Sequence, residues 1–422
     1  MEKAILVGIH SPDIKSHELE SSFAELKFLA VTAGAQVVHQ IIQEKKTPDS
    51  AYFIGKGKVY QLKEICENEE VDLVIFNNDL RPIQQRNLEA IIGQKIIDRT
   101  GLILDIFAAR ARTKEARLQV ELAQFNYLLP RLTGKGVLLS RLGGGIGTRG
   151  PGEQKLEIDR RRIYAKISHL KDAINTVKKH RFLQRESRKE IPVPIVAIVG
   201  YTNVGKSTIL NKLTSSNVYV QDKLFATLDP TTRKLILPNK QEVFLTDTVG
   251  FIKNLPHHLV SAFHATLEEV IEADILLNIS DITSEEIETE ITAVDKVLTE
   301  LESNNKPTIM VFNKIDKLNS DTKLNIINHW TSEYTNSIAI SAITGEGVNL
   351  LFEKITDFLS RSMEKIKINI PYSMINLREI IYKQGNVLSE KFTSKQIVIK
   401  AEVTKKLASI VKKRIKDNDR HI

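Results

Sequence analysis

An apolar run, Ile195 to Val199, leads straight into Gly200-Tyr-Thr-Asn-Val-Gly205-Lys206-Ser207, the spacing G-x-x-x-x-G-K-S. Glycines at both ends let the backbone curl until successive N–H groups point at phosphate oxygens. Lys206 then reaches the β- and γ-phosphates as a catalytic cation, and Ser207 offers a hydroxyl to Mg²⁺. The helix that must follow starts with the positive end of its dipole at the same place. Such a loop also occurs by chance; its weight here comes from three further elements that follow it in order.

The strand-like run Val243 to Asp247 ends in Asp247-Thr248-Val249-Gly250. A carboxylate at that strand end can hold Mg²⁺ through water, and the amide of Gly250 can sense a γ-phosphate. The run Thr308 to Phe312 leads into Asn313-Lys314-Ile315-Asp316. Asp316 can accept two N–H bonds from the N1/N2 edge of guanine while Asn313 bonds the O6/N7 edge. Adenine lacks that donor pair, and a site built to bond a group rejects analogues without it by roughly 10⁴-fold. The run Ser337 to Ile340 then delivers Ser341 and Ala342, whose backbone can close over the guanine O6. The candidate nucleotide contacts are Gly200, Tyr201, Thr202, Asn203, Val204, Gly205, Lys206, Ser207, Thr208, Asp247, Thr248, Val249, Gly250, Asn313, Lys314, Ile315, Asp316, Ser341 and Ala342. Together they describe a guanine-nucleotide site with GTP as substrate.

These elements need a scaffold. A length of 422 residues corresponds to about three domains of ordinary size. With 42% hydrophobic and 27% charged residues, the composition is that of a globular protein with real cores. One cysteine, Cys66, rules out an internal disulfide framework and points to a reducing compartment. No apolar run approaches the roughly 20 residues of a membrane span, so a cytoplasmic protein without a span is expected. The net charge of +8 is uneven: residues 131–190 carry +10 and residues 361–422 carry +9, leaving −11 elsewhere. Two basic segments flanking an acidic middle point to polyanion contact in two places, with nucleic acid as the expected partner. Lysine-rich solvated helix faces are the plainer alternative.

Residues 1–113 read as an α/β domain. Lys3–Ile9, Gln36–Ile42 and Val71–Phe76 look like buried strands, with helices at Glu18–Thr32 and Lys56–Asn68 between them, which implies a small parallel sheet. Gly55-Lys56-Gly57-Lys58 lacks phosphate-loop spacing and reads as a connection into a helix. At 114–190 the pattern becomes a helical hairpin. Leu118, Leu122, Phe125, Leu129 and Leu132 step by threes and fours, as do Ile163, Ile167, Leu170, Ile174 and Val177, giving one apolar seam per helix. Its tip, residues 133–155, is glycine-rich and basic, with Lys135, Arg141 and Arg149. It cannot pack a core, but its backbone can approach an irregular surface and its arginines can pair with phosphates. A plain linker or a second nucleotide loop are the rival readings of this tip. Residues 181–192 read as a charged hinge. The nucleotide domain then spans 191–362, and 363–422 form a small basic α+β domain with strands at Ile366–Ile370 and Lys395–Val403. The fold class expected is thus α/β: a P-loop GTPase domain with an N-terminal α/β domain carrying a long helical hairpin, and a C-terminal α+β domain.

The ordered set of G-Y-T-N-V-G-K-S-T, Phe225–Thr232, Asp247–Phe251 and Asn313–Asp316 resembles the HflX family of ribosome-associated GTPases. The segment Gln119–Leu132, followed by the glycine-rich loop, resembles that family's own signature. The likeness covers essentially the whole chain and is least distinctive after Ile366. It implies a cytoplasmic GTPase that binds ribosomes, chiefly the large subunit, and separates stalled or idle ribosomes into subunits under stress. The tip would reach toward ribosomal RNA near the peptidyl-transferase centre. It also makes Ser207 and Thr227 the Mg²⁺ ligands, with Thr227 catalytic. Phe225, Ala226, Thr227, Leu228 and Asp229 become the first switch, and Ser341 to Ile343 the guanine-capping loop.

The position after Asp247-x-x-Gly250, where many GTPases place a water-orienting glutamine, holds Phe251. Slow intrinsic hydrolysis, accelerated by a partner such as the ribosome, is expected. Asn203 is a further catalytic candidate, since an Asn there can help hold K⁺ in place of an arginine finger; a hydrogen bond that shapes the loop is its other role. A monomer is expected, because each hairpin seam is satisfied within the hairpin. The main alternative function is a signalling or scaffold GTPase whose basic segments contact other RNA or protein partners. An RNA-modifying or RNA-unwinding enzyme is disfavoured, as no second motor domain or Cys/His metal cluster is visible.

Overall fold

Strand β1 (Lys3–His10) is buried at every interior position, as a strand covered on both faces must be. It lies at the centre of a parallel sheet with β2 (Gln36–Glu44), β3 (Leu73–Phe76) and β4 (Lys95–Asp98), in the order β2-β1-β3-β4. The connections are α1 (Ser16–Thr32), α2 (Lys56–Asn68) and α3 (Pro82–Ile92), and α4 (Arg99–Arg110) follows β4 directly. The computed structural model describes residues 1–13, 15–132, 151–188, 193–214, 225, 230–253, 264–361 and 363–419. It divides into one unit built on Met1–Val177, to which Phe225 also belongs, and a second built on the chain from Lys178 onward.

In the first unit the expected strands and helices are present, and α3, β4 and α4 add a further parallel strand with its flanking helices. One side of the sheet packs Ile5, Val7, Phe53, Leu62, Phe76 and Leu88 into a core. Cys66 is buried in that core, which pushes its thiol up to about 11, so it serves as a small packing residue. The start of α4 is organised by a fully buried carboxylate. Asp98 accepts from Gly101 N at 2.8 Å as N-cap, and from Leu80 N at 3.1 Å. It also accepts from Tyr127 Oη at 2.7 Å and Arg131 Nη2 at 2.8 Å, both on α5 (Lys114–Leu132).

That anchor corrects the expected seam of the first hairpin helix. The buried positions on α5 are Glu115, Ala116, Gln119, Val120 and Ala123, while Leu118, Leu122, Phe125 and Leu129 are only half-buried. Small side chains face inward because α5 lies against α3 and α4 rather than against a hairpin partner alone. The second helix, α6 (Pro151–Arg188), buries Ile167, Leu170 and Ile174 as expected, and Lys166 pairs with Glu121 of α5 at 3.2 Å. It begins at Pro151, so the last five positions of the expected tip are helical, with proline in the first turn where its missing N–H costs nothing. The helix also continues through residues 181–188 of the expected hinge. Residues 133–150, with Lys135, Arg141 and Arg149, and 189–192 lie outside the described residues.

The second unit holds a six-stranded sheet of order β10-β9-β8-β5-β7-β6: β5 (Ile195–Gly200), β6 (Thr231–Ile236), β7 (Glu242–Asp247), β8 (Ile275–Asp281), β9 (Thr308–Asn313) and β10 (Ser337–Ala339). All pairings are parallel except β6 with β7. Helices α7 (Lys206–Thr214), α8 (His264–Glu272), α9 (Ile287–Glu300), α10 (Ser320–Glu333) and α11 (Val348–Arg361) connect or flank them. Chain order reverses at the central β5, the switch point at which such sheets bind ligands outside their carboxyl ends. An antiparallel sheet of order β11-β13-β12 completes the unit: β11 (Met363–Pro371), β12 (Asn386–Phe392) and β13 (Gln396–Thr404). Helices α12 (Ile375–Gln384) and α13 (Lys405–Asp419) accompany it. Its core of Ile366, Ile368, Ile370, Ile397, Ile399 and Val403 packs with Leu377, Ile381 and Leu407. No helix among the described residues is long and apolar enough to cross a membrane.

Candidate active site

The carboxyl ends of β5, β7, β8, β9 and β10 bring the motif residues to one edge of the sheet. After β5 the chain needs conformations that side chains resist: Gly200 has φ 147°, Asn203 φ 61° and Gly205 φ 95°. A Cβ on Gly200 would sit 2.3 Å from Ile279 O, and one on Gly205 2.4 Å from Asn313 Nδ2, so glycine is obligatory at both. Lys206 opens α7 and folds back over the loop, donating to Tyr201 O at 2.5 Å and Gly200 O at 3.3 Å. Burial pushes its ammonium down to about 8, against the attraction of Asp247 and with some repulsion from Lys314. A buried cation ringed by backbone carbonyls and N–H groups is suited to receive a polyphosphate.

Ser207, next in α7, donates its Oγ to Asp247 Oδ2 at 2.6 Å. The second-motif carboxylate and the loop hydroxyl are thus adjacent, across 40 residues of sequence. Thr248 is held by a bond to Ile198 O at 2.6 Å, and Gly250 lies against the loop: its Cβ would meet Lys206 Nζ at 2.8 Å and Thr202 Cγ2 at 2.9 Å. Thr202 Oγ1, within the phosphate-binding turn, is buried without a protein hydrogen-bond partner. Phe251 is buried, and its backbone is tied to the loop on both sides, donating to Gly200 O at 3.1 Å and accepting from Thr202 N at 2.8 Å. Its ring orients no water. Lys253 N donates to Tyr201 Oη at 2.8 Å, which gives Tyr201 a structural job beyond the loop.

The base-recognition residues are assembled as their chemistry requires. Buried Asn313 donates from Nδ2 to Val204 O at 2.8 Å and accepts at Oδ1 from Ala342 N at 3.0 Å. Asp316 Oδ1 accepts from Ser341 Oγ at 2.5 Å, which aims the carboxylate. Ser341 Oγ in turn accepts from Thr344 N at 3.1 Å, shaping the capping turn, and Ile343 stands out exposed on it. Ile315 is buried in the core and holds the short helix carrying Asp316 in place. Lys314, at φ 70°, donates to Asn203 O at 2.8 Å and pairs with Asp281 Oδ2 at 2.7 Å. Asp281 is a site residue that the motif reading missed; the apolar run of β8 ending in Asp was its available signal.

Of the expected first switch, Phe225 is the described residue. Phe225 is buried in the first unit against Phe107 of α4, with ring centroids 4.6 Å apart and planes at 80°. Its ring has a packing role that the motif did not announce, because its partner lies more than a hundred residues away, beyond the reach of motif spacing. Ala226, Thr227, Leu228 and Asp229 lie outside the described residues.

A G-x-x-x-x-G-K-S turn at the switch point, with Asp247 beside Ser207 and Asn313 and Asp316 at the base end, defines a P-loop GTPase. Four family models match the chain in sequence: GTP-binding GTPase N-terminal at residues 20–108, GTP-binding GTPase Middle Region at 110–188, 50S ribosome-binding GTPase at 195–314 and HflX C-terminal domain at 326–421. The chain is 51% identical over 403 residues to GTPase HflX of Caldanaerobacter subterraneus, covering 96% of this chain and 91% of that one. With GTPase HflX of Escherichia coli it shares 41% over 382 residues, covering 90% and 88%. Among solved structures, it is 26% identical to a GTP-binding protein from the archaeon Sulfolobus solfataricus in complex with GDP, covering 85% and 98%, with a TM-score of 0.44. The chain belongs to the HflX family and is a GTP-binding GTPase with a domain of the 50S ribosome-binding type.

Proposed function

We propose that this GTPase binds the large ribosomal subunit in the cytoplasm as a monomer, and separates stalled or idle ribosomes into subunits, as under stress. The observation that supports the reading best is likeness to HflX relatives along nearly the full chain, including the middle region that GTPases generally lack. The basic 133–155 stretch is the candidate contact with ribosomal RNA near the peptidyl-transferase centre. In hydrolysis, water attacks the γ-phosphorus, the bond to the β–γ bridging oxygen breaks, and GDP leaves with phosphate. Lys206 moves from the loop carbonyls to the β/γ oxygens, and the Gly250 amide meets the γ-phosphate. The hydroxyl–carboxylate pair of Ser207 and Asp247 fits a hard divalent cation: Ser207 would hold Mg²⁺, Thr227 would join it on the family pattern, and Asp247 would act through water. When bound, the ion neutralises charge developing on the phosphates. With Phe251 where a water-orienting side chain would stand, basal turnover is slow and the ribosome supplies the missing positioning. Asn203 is the residue through which K⁺ would act, and equal rates in K⁺ and Na⁺ would leave it only a loop-shaping role. Sucrose-gradient profiles of intact ribosomes with the protein and GTP test the whole: subunits should accumulate with GTP and not with GDP. Intact ribosomes under both nucleotides would overturn it.

A further inference from the structure

The antiparallel sheet of β11, β13 and β12 has two unlike faces. One carries the isoleucines buried beneath α12 and α13; the other is open, and its register places Lys365, Lys367, Lys391 and Lys400 on it. Lys367 stands directly opposite Lys400 across the β11–β13 ladder. Lys391, two residues beyond Ser389, which faces Lys400 on the other flank, extends the row across all three strands. All four lysines are exposed. The acid on this face is Glu402, already engaged by Lys365 at 3.6 Å and by Asn386 Nδ2 at 3.1 Å. Among the described residues Lys367, Lys391 and Lys400 form no ion pair.

Like charges directly opposite each other destabilise a sheet, and the same register would take Thr or Glu without strain. A ladder that keeps Lys367 against Lys400 is arranged for an outside anion. We infer that this open face is an RNA-binding platform that grips phosphates of the backbone without reading bases. No aromatic side chain lies on it, since Tyr382 and Phe392 belong to the opposite side, where Arg378 stacks on both. Base stacking, which single-strand and RRM-type readers use, is therefore absent. Lysine ammonium groups suit phosphate as point charges, whereas the cores of protein–protein interfaces are depleted of lysine. A membrane surface would call for large apolar side chains to insert beside the lysines, and there the register offers Val398, with Met363 and Pro371 only at the two ends of β11.

The inference rests on the ribosome-binding reading for its biological partner, but not for its chemistry. Its test uses the full chain, wild type against the triple variant Lys367→Gln, Lys391→Gln, Lys400→Gln, with a GTP analogue. Binding is measured across salt on purified large ribosomal subunits, on a protein-free RNA duplex and on phosphatidylserine vesicles. Each lost phosphate contact lowers the log–log salt slope by roughly 0.9, so the variant should lose about two to three units on both RNA probes and bind roughly tenfold or more weakly. Partner-free GTP turnover should match wild type, and the melting midpoint should hold or rise as the like-charge pair disappears. Equal slopes for the two proteins, or no RNA binding by either, overturns the inference, as does a loss confined to the vesicles. A slope change on the duplex with no wild-type binding to subunits would sink the ribosomal reading and leave this one standing; the converse pattern would do the reverse.

Discussion

Nucleotide affinity should fall as pH rises through 8, and Lys206 sets the size of the effect. Burial depresses its ammonium from 10.5 to about 8 in the nucleotide-free site. Bound phosphate needs the protonated form. The fraction already charged is about 0.9 at pH 7 and about 0.25 at pH 8.5, so Kd for GDP should rise roughly fourfold over that interval. The sign follows from linkage: binding takes up a proton only where the free side chain has lost one, so affinity is full below 8 and declines above it. Stability of the free protein runs the other way. Enclosing a charged lysine costs on the order of 3 kcal/mol below pH 8, and the cost fades as pH climbs from 8 toward 10.5. Calorimetric titration of GDP at half-unit steps between pH 7 and 8.5 reads the first effect, and thermal melts of the free protein over the same steps read the second. Lys206→Arg, whose charge does not titrate here, should flatten both curves. A wild-type Kd that stays constant across the interval would refute the reasoning.

Asn313→Ala should leave Val204 O and Ala342 N without their partner, costing about 1–3 kcal/mol in urea unfolding, and should erode the preference for GTP over ATP in competition binding. Asp98→Ala removes a carboxylate that holds Tyr127, Arg131 and the start of α4. With the Arg131 charge deprived of its carboxylate, the expected loss is about 3–5 kcal/mol in chemical denaturation, and a smaller loss than Lys166→Ala at the exposed Glu121 pair would contradict the reading. Phe107→Ala and Phe225→Ala, taken singly and together, should show a coupling energy of about 0.5–1.5 kcal/mol; strict additivity would mean that the two rings do not stabilise one another.

The phosphate and base motifs were legible because each is local: Gly205, Lys206 and Ser207 are neighbours in sequence, and the turn they need leaves a spacing behind. The strands that carry them were legible as apolar runs ended by polar turns. What escaped was set by tertiary partners. Asp281 looks like any strand-end acid until Lys314 arrives from β9. Asp98 reads as a helix cap, and nothing near it announces Tyr127 and Arg131 from α5. The leucine seam of that helix was visible, but its most buried stripe consists of alanines with Glu115 and Gln119, which periodicity counts as neutral or polar. Phe225 sat inside a family motif, and only packing assigned it to the first unit. The open lysine face of the C-terminal sheet needed a strand register, which the alternation of Ile366–Ile370 foreshadowed without supplying its partner.

The amide of Asn313 braces the loop that grasps the phosphates on one side and the turn that caps the base on the other. Base choice and phosphate grip therefore stand or fall together. A lineage drifting toward adenine through this position would weaken its hold on any triphosphate before gaining a new one, so the architecture itself guards the fidelity of the fuel.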